Sequence, residues 1–267
     1  MSFKFSAPIV LVVEDEYTRI YLRELWQDPS IGYVVANSKE AVGAVVDALR
    51  ADGLDHVFGV RDRDFGPTNH SAWSAKTTRV FTLPAHEIEN YSLDFDALAQ
   101  IRLNSRRMPA TDIKKLVYAT ASSMIWWMAC RKLLSDLDFQ ILDGFPGHPT
   151  VSSISDKKDA ENFLSTNPWL SNLSTRMSKF TLKELTALLE SAYAEKLYEL
   201  KKGHWVHSFS GKELLAQARN QLFVSSKGVT VQTTDWALEV ARWHNQQGIP
   251  QHLQDLYDAL MNIVTHP

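Results

Sequence analysis

Short apolar runs alternate with amphipathic stretches in the first part of the chain, and this alternation limits the possible folds more than any other feature. The apolar runs cover residues 8–13, 33–36, 57–60 and 79–83. The stretches between the first three runs carry apolar residues at helical spacing. Alternating strands and helices build a parallel sheet, and valine-rich runs are typical of strands buried on both faces. The sequence therefore predicts an α/β fold with a mainly parallel sheet over residues 1–94.

Helical patterns replace strand patterns in the rest of the chain. Helical stripes cover residues 112–137, as one helix or two, and then residues 181–202, 211–222, 234–247 and 251–264. Residues 204–209 alternate as a short strand would. We therefore predict a mainly helical module over residues 95–267, with residues 204–215 as the candidate segment for a return to the α/β core.

Composition limits the classes of partner and compartment. The chain has 267 residues, of which 45% are apolar, and a net charge of −3, so it offers no overall positive field to nucleic acid. The single cysteine, Cys130, excludes an intramolecular disulfide and a cysteine-rich zinc site. Together with the absence of a signal-peptide pattern, it predicts a cytoplasmic protein in which Cys130 is buried. The longest apolar segment, residues 116–130, is shorter than the roughly 20 residues that span a membrane.

Acidic residues follow two of the predicted strands. Glu14 follows the first strand, and Asp62 and Asp64 follow the third. Strands of an open α/β sheet present their carboxyl ends at one edge, so we expect these side chains to lie together. Neighbouring carboxylates repel unless a cation lies between them, and hard divalent cations prefer oxygen ligands. The pattern favours a metal site over a solvated acidic turn neutralised by Arg61 and Arg63.

One resemblance favours a signalling domain. The first strand and its acids, Val12-Val13-Glu14-Asp15-Glu16, resemble the start of phosphorelay receiver domains. In those domains an aspartate at the end of the third strand is phosphorylated, and Asp62 stands near that place. The chain lacks the lysine-proline pair that follows the fifth receiver strand, and its third strand ends in two aspartates instead of one. A receiver-like module is therefore the alternative.

A second resemblance covers more motifs. Glu14 followed by Asp62-Arg63-Asp64 has the order of acids in TOPRIM domains. Residues 83–91, Leu-Pro-Ala-His-Glu-Ile-Glu-Asn-Tyr, and residues 211–215, Gly-Lys-Glu-Leu-Leu, resemble segments of a TOPRIM-like family. That family is related to the overcoming-lysogenization-defect nucleases and includes the nuclease effector of the PARIS anti-phage system. The resemblance implies a TOPRIM-like Rossmannoid module.

The TOPRIM resemblance implies phosphodiester cleavage with Mg²⁺ or Mn²⁺ bound in the site. It implies Glu14 as a metal ligand or a general acid/base, and Asp62 and Asp64 as ligands. Glu89 is favoured over Glu87 as a further ligand. The alternative for both glutamates is favourable charge at a helix N-terminus.

Lys212 is the predicted catalytic cation. Gly211 before it would let the backbone approach a phosphate, and the lysine would stabilise negative charge there, unless it is an ordinary residue of a first helical turn. His86 is expected either to support a ligand or to lie in a surface turn. His204 and His207 are expected either to stack on nucleic acid or to form a half-buried edge strand.

Four basic residues are candidates for nucleic-acid binding. Arg63 lies between the two aspartates, and Arg106, Arg107 and Lys114 form a cluster after the first module. A solvated helix-linking loop is the alternative for that cluster.

The family resemblance also implies partners. It implies an anti-phage, abortive-infection effector that cleaves nucleic acid, with tRNA favoured and DNA possible. The partner would be an ATPase sensor on a separate chain, since this chain has no Gly-x-x-x-x-Gly-Lys-Ser/Thr loop.

The sequence leaves open both the metal content of the site and the oligomeric state of the protein. The family has a glycine and a further acid where this chain has Asp15 and Thr18. One metal ion, two metal ions and a catalytically inactive TOPRIM binding module therefore all remain alternatives. Trp126, Trp127, Trp236 and Trp243 would support either a homodimer surface or core packing.

Overall fold

The computed structural model of the protein describes residues 7–74, 76–141, 182–222 and 231–265. Residues 142–181 and 223–230 of the predicted helical module lie outside the described residues. The chain divides into two compact units, Met1–Ser123 with Lys202–Pro267 and Met124–Lys201. This division differs from a boundary after residue 94, because a helix near the C-terminus packs on the first helix of the sheet unit.

Four parallel strands form the sheet of the first unit. They are β1 Ile9–Val13, β2 Ile31–Val35, β3 Val57–Arg61 and β4 Val80–Thr82, in the order β2-β1-β3-β4. Val13 pairs with Val35 on one side and with Val60 on the other. The carboxyl ends of the strands therefore meet at one edge of the sheet, which we call the acidic edge. The prediction of an α/β fold with a parallel sheet is confirmed.

Two helices connect the first three strands, α1 Glu16–Trp26 and α2 Lys39–Ala51. The buried face of α2 carries Val42 and Val46, which pack against Val10 and Val12 of β1. A Cβ atom on Gly59 of β3 would lie only 2.6 Å from Cγ1 of Val42. The glycine therefore lets α2 lie close to the sheet.

The remaining helices follow β4. The first unit contains α3 Phe95–Gln100, α4 Ala110–Ser123, α7 Trp205–Ser208, α8 Gly211–Leu222, α9 Thr233–Gln247, α10 Gln251–Thr265 and the short 3₁₀ helices His70–Ala72 and Ile88–Ser92. The second unit contains α5 Ile125–Ile141 and α6 Leu182–Lys202. Of the two alternatives for residues 112–137, two helices is the one observed. In the part of the chain described, no helix is both long and apolar enough to cross a membrane.

Two local predictions are wrong. Residues 204–209 are not a strand, because the buried Trp205 begins the helix α7 and Ser208 Oγ donates to the carbonyl of His204 at 3.1 Å. Cys130 is exposed, because α5 turns its neighbours Met128 and Ala129 into the interior instead. Among the tryptophans, Trp236 belongs to the core, whereas Trp126 and Trp127 are exposed.

Candidate metal centre

The first acid of the acidic edge is Glu14. Because Val13 pairs with Val60, Glu14 and the segment from Asp62 leave neighbouring strands side by side. Burial, and then the negative charge of Asp64, raise the pKa of Glu14. Its Oε2 atom is buried and has no hydrogen-bond partner. A hydrogen bond from the backbone of Asp62 and the charge of Lys39 act in the opposite direction, but the pKa stays raised.

Asp62 is surrounded by other carboxylates. Its Oδ1 atom accepts a hydrogen bond from the backbone N–H of Ile88 at 2.9 Å. Burial, and then the charges of Glu89 and Glu14, raise the pKa of Asp62 well above its ordinary value. The charges of the other two acids of the edge, Glu87 and Asp64, raise the pKa of Asp62 further. The five carboxyl groups therefore form one electrostatically coupled cluster at the ends of β1, β3 and β4.

Asp64 is held by its backbone and by a lysine that the sequence did not point to. Its φ of 51° is left-handed, and its N–H donates to the carbonyl of His86 at 2.8 Å. Lys39 Nζ lies 2.6 Å from Oδ2 of Asp64 and 3.1 Å from the carbonyl of Arg63. Ser38 caps α2, so Lys39 is its first residue and starts at the acidic edge. The place of Lys39 in the first turn of the helix that follows β2 was a signal available in the sequence.

Asp64, His86 and Glu87 form the group best placed to hold a metal ion. One ligand atom from each lies within 4.8 Å of the other two. The Nδ1 atom of His86 lies 2.7 Å from the carbonyl oxygen of Asp64. Since a carbonyl only accepts, Nδ1 carries the proton and Nε2 keeps its lone pair in the neutral ring. His86 is fully buried, so its assignment to a surface turn is wrong.

Glu87 is held by a segment far along the chain. Its carboxylate accepts hydrogen bonds from Ser210 Oγ, at 3.0 and 3.1 Å, and from the backbone N–H of Lys212 at 2.8 Å. Burial still raises the pKa of Glu87. The sequence favoured Glu89 over Glu87 as a ligand, whereas the three-residue group contains Glu87. Its place beyond the end of β4 was the available signal.

Glu89 is buried beside the same lysine. Burial raises the pKa of Glu89 to about 8, and its Oε2 atom has no hydrogen-bond partner. Its Oε1 atom lies 3.9 Å from Nζ of Lys212, whose side chain is 59% exposed. Burial alone would lower the pKa of Lys212, but the carboxylates of Glu89 and Glu87 outweigh it and raise that pKa. The lysine therefore faces both the acids and the solvent as a cation.

Gly211 serves protein packing. A Cβ atom on Gly211 would lie 2.5 Å from the backbone nitrogen of Asn90. The Asn90 amide donates to the carbonyls of Val206 and Phe209 at 2.7 and 2.9 Å. This close approach fixes the start of α8, and with it Lys212, beside the acids.

The two departures from the TOPRIM pattern have a local structural role. Oδ1 of Asp15 accepts hydrogen bonds from the backbone N–H and the hydroxyl of Thr18, both at 2.8 Å. Asp15 is therefore the N-cap of α1, and Thr18 is buried as its partner.

The predicted basic residues fall into two places. Arg63 belongs to the acidic edge, where its Nη2 atom lies 3.4 Å from the carbonyl of His207. Arg106 and Arg107 are exposed in the loop between α3 and α4, and Lys114 is exposed on α4. The structure thus brings only Arg63 of these four to the acids.

The donor set fits a divalent cation. Carboxylate oxygens suit Mg²⁺ and Mn²⁺, and the imidazole of His86 is tolerated better by Mn²⁺ and its transition-metal neighbours. The buried oxygens of Glu14 and Glu89 without hydrogen bonds are the kind of exception that a bound ion explains.

Comparison of the chain with protein-family models, curated proteins and solved structures finds no match. The TOPRIM resemblance therefore rests on the sequence motifs alone.

Proposed function

We propose that this protein is a metal-dependent endonuclease of the TOPRIM type. The supporting observation is that Glu14 meets Asp62 and Asp64 at the ends of adjacent strands, in the order that the motifs imply. Burying acids with raised pKa values reduces the stability of the folded protein, and such acids are typical of functional sites.

The acids divide into groups that hold a cation and groups that move a proton. Asp64, His86 and Glu87 would hold Mg²⁺ or Mn²⁺, with Asp62 beside them. Such a cation neutralises phosphate charge and lowers the pKa of bound water. Because its pKa is raised, Glu14 retains a proton closer to neutral pH and is suited to protonate a leaving oxygen.

Lys212 is suited to contact the scissile phosphate. Its ammonium group lies 3.9 Å from Glu89 and is reached by solvent, so an incoming phosphate oxygen can bind it without displacing buried protein. Glu89 then orients the lysine.

The substrate and partner follow the family resemblance. We propose host nucleic acid as the target, with tRNA favoured over DNA, and an anti-phage role in the cytoplasm. A separate ATPase chain would hold the enzyme silent until infection.

Cleavage by point variants tests the proposal. Wild type, Glu14→Ala and Asp62→Ala are incubated with tRNA or duplex DNA in Mg²⁺ or Mn²⁺, and we expect each variant to lose at least about a hundredfold in rate. Asp55→Ala is the matched control, because Asp55 is exposed just before β3, at the opposite edge of the sheet. Full cleavage by both acid variants would end the proposal.

The basic cluster has its own test. Reversing Arg106 and Arg107 to glutamate should weaken nucleic-acid binding and reduce its salt slope by about 0.7–0.9 for each phosphate that the protein no longer neutralises. An unchanged slope would remove these residues from the binding surface.

A catalytically inactive TOPRIM binding module is the second candidate. The contact of Lys39 Nζ with Asp64 Oδ2 at 2.6 Å favours it, because a protein cation already neutralises one acid of the centre. Saturable Mn²⁺ binding by wild type, together with no cleavage of any nucleic acid, would support this candidate over the nuclease.

A further inference from the structure

Five aromatic rings from four segments of the chain meet beside the acidic edge. His70 and Trp73 lie after β3, Tyr91 after β4, His207 in α7 and His252 in α10. The ring centroid of His252 lies 5.0 Å from that of His70, 6.4 Å from that of His207 and 6.3 Å from that of Tyr91, and the rings of His70 and Trp73 are 4.6 Å apart. We call this group the ring cluster.

The ring cluster lies at the surface. His207 is exposed, and His70, His252 and Trp73 are partly exposed. Asp255 forms a hydrogen bond with one ring of the cluster, since its Oδ2 atom lies 2.9 Å from Nε2 of His70. The Tyr91 ring is buried beneath the other rings. The cluster thus leaves part of its aromatic surface accessible to solvent.

The ring cluster directly adjoins the candidate metal centre. The carbonyl of His207 accepts the backbone N–H of His86 at 2.8 Å and lies 3.4 Å from the guanidinium of Arg63. Arg63 stands between Asp62 and Asp64 in the chain. A polynucleotide whose phosphate reaches the acids would therefore extend over these rings.

A metal site is a poorer explanation for the ring cluster. Within the described residues, the only group of three or more ligand atoms at metal-binding spacing is Asp64, His86 and Glu87. The cluster histidines are therefore not arranged as a ligand set, and their grouping as partly exposed aromatic rings needs another explanation.

We infer that the ring cluster is a stacking subsite for unpaired nucleobases, so that the substrate enters the centre as a single-stranded segment. This inference rests on the proposed nuclease function for its location. Bases in a duplex are stacked on each other and cannot lie on protein rings, whereas unpaired bases stack on aromatic side chains without sequence preference.

Binding is measured without metal, so that it is separated from cleavage. The full chain in EDTA is titrated into fluorescein-labelled single-stranded RNA, single-stranded DNA and blunt duplex DNA, followed by anisotropy. His207→Ala with His252→Ala should weaken single-strand binding on the order of tenfold and change duplex binding by less than about twofold. Comparison of the affinities for single-stranded RNA and single-stranded DNA shows which of the two the protein prefers.

Two further variants test the stacking mechanism. His207→Phe keeps a ring and should bind within about twofold of wild type, whereas His207→Ala alone should lose several-fold. His56→Ala is the matched control, since His56 is exposed just before β3 at the far edge of the sheet. If thermal melting shows that the double variant is unfolded, the test rests on the single variants at the exposed residue His207.

The outcomes separate this inference from the proposed function. Undetectable single-strand binding by wild type, unchanged binding by the alanine variants, or equal losses in His207→Phe and His207→Ala would each overturn the subsite. Ring-dependent binding without cleavage in any divalent metal would keep the subsite and overturn the nuclease.

Discussion

In the group formed by the buried Tyr21 and His244 and the partly exposed Asp94, the polar side chains form hydrogen bonds with one another, whereas the acids of the candidate metal centre leave two buried oxygens without partners. His244 Nδ1 lies 2.7 Å from the Tyr21 hydroxyl and its Nε2 lies 3.2 Å from Asp94 Oδ2. Asp94 also caps α3. By contrast, Oε2 of Glu14 and Oε2 of Glu89 have no hydrogen bond.

The pKa shifts of the carboxyl groups differ in direction between the two groups. Burial alone would raise the pKa of Asp94, but the hydrogen bond from His244 and those from backbone N–H groups lower it. Burial dominates at Asp62, Glu87 and Glu89, where the pKa is raised. The first group therefore stabilises the fold by itself, while the second is a cluster of buried acids of the kind that a bound cation would neutralise.

The largest expected effect is the pH dependence of the metal-free protein. The pKa of Glu89 is about 8 in the fold against an ordinary 4.5. The folded state thus holds a proton that the unfolded state releases, and the free energy of unfolding falls as pH rises from about 4.5 to 8, by up to about 5 kcal/mol at about 1.4 kcal/mol per pKa unit. Glu89→Gln should flatten this fall in urea unfolding curves recorded in EDTA.

Glu213→Gln is the matched control for Glu89→Gln, because Glu213 is exposed in the first turn of α8. It should leave the pH dependence as in wild type. Equal pH profiles for wild type and Glu89→Gln would show that burial of Glu89 does not lower the stability of the folded protein. The difference in pKa shifts between the two groups would then have no effect on stability.

His244→Ala should destabilise the protein by roughly 3 kcal/mol, because it removes a buried ring and leaves Tyr21 and Asp94 without their partner. Tyr21→Phe, which removes only the hydroxyl group, should cost about 1 kcal/mol. Thermal unfolding measures both. The affinity for Mn²⁺, followed by calorimetry, should stay unchanged, and a large loss of affinity would mean that the two groups are coupled.

Gly211→Ala should destabilise by about 2 kcal/mol and weaken Mn²⁺ binding, because its Cβ atom would displace Asn90 and move the segment that holds Glu87. Gly43→Ala is the control. A Cβ atom there meets nothing within 4 Å, and the position lies inside α2, so the change should stabilise by about 0.5–1 kcal/mol. Equal effects from the two substitutions would contradict the close approach of α8 to Asn90.

The acidic edge was predictable from the sequence because strand period and parallel topology are local signals. Valine-rich runs placed β1 and β3, and the acids directly after them could only lie at their carboxyl ends. The α/β class followed from the same alternation. The proximity of Glu14, Asp62 and Asp64 therefore follows from their positions directly after the predicted strands.

The partners of those acids were not predictable in the same way. Ser210 bonds to Glu87, although they are more than a hundred positions apart, and no short-range pattern records that pairing. The left-handed backbone of Asp64, which brings its carbonyl to His86, depends on the same tertiary contacts. Residues 204–209 were misread because alternation in so short a segment fits a helical turn held by Trp205 equally well.

The dependence of Glu87 on Ser210 and Lys212 has a consequence for biosynthesis. A nascent chain that has left the ribosome as far as the 3₁₀ helix Ile88–Ser92 already carries all five acids, but it cannot yet supply the hydroxyl and amide donors that fix Glu87. Fragments that end before α8 therefore lack a completed centre. For a protein proposed to attack the nucleic acid of its own cell, late assembly would keep unfinished products harmless.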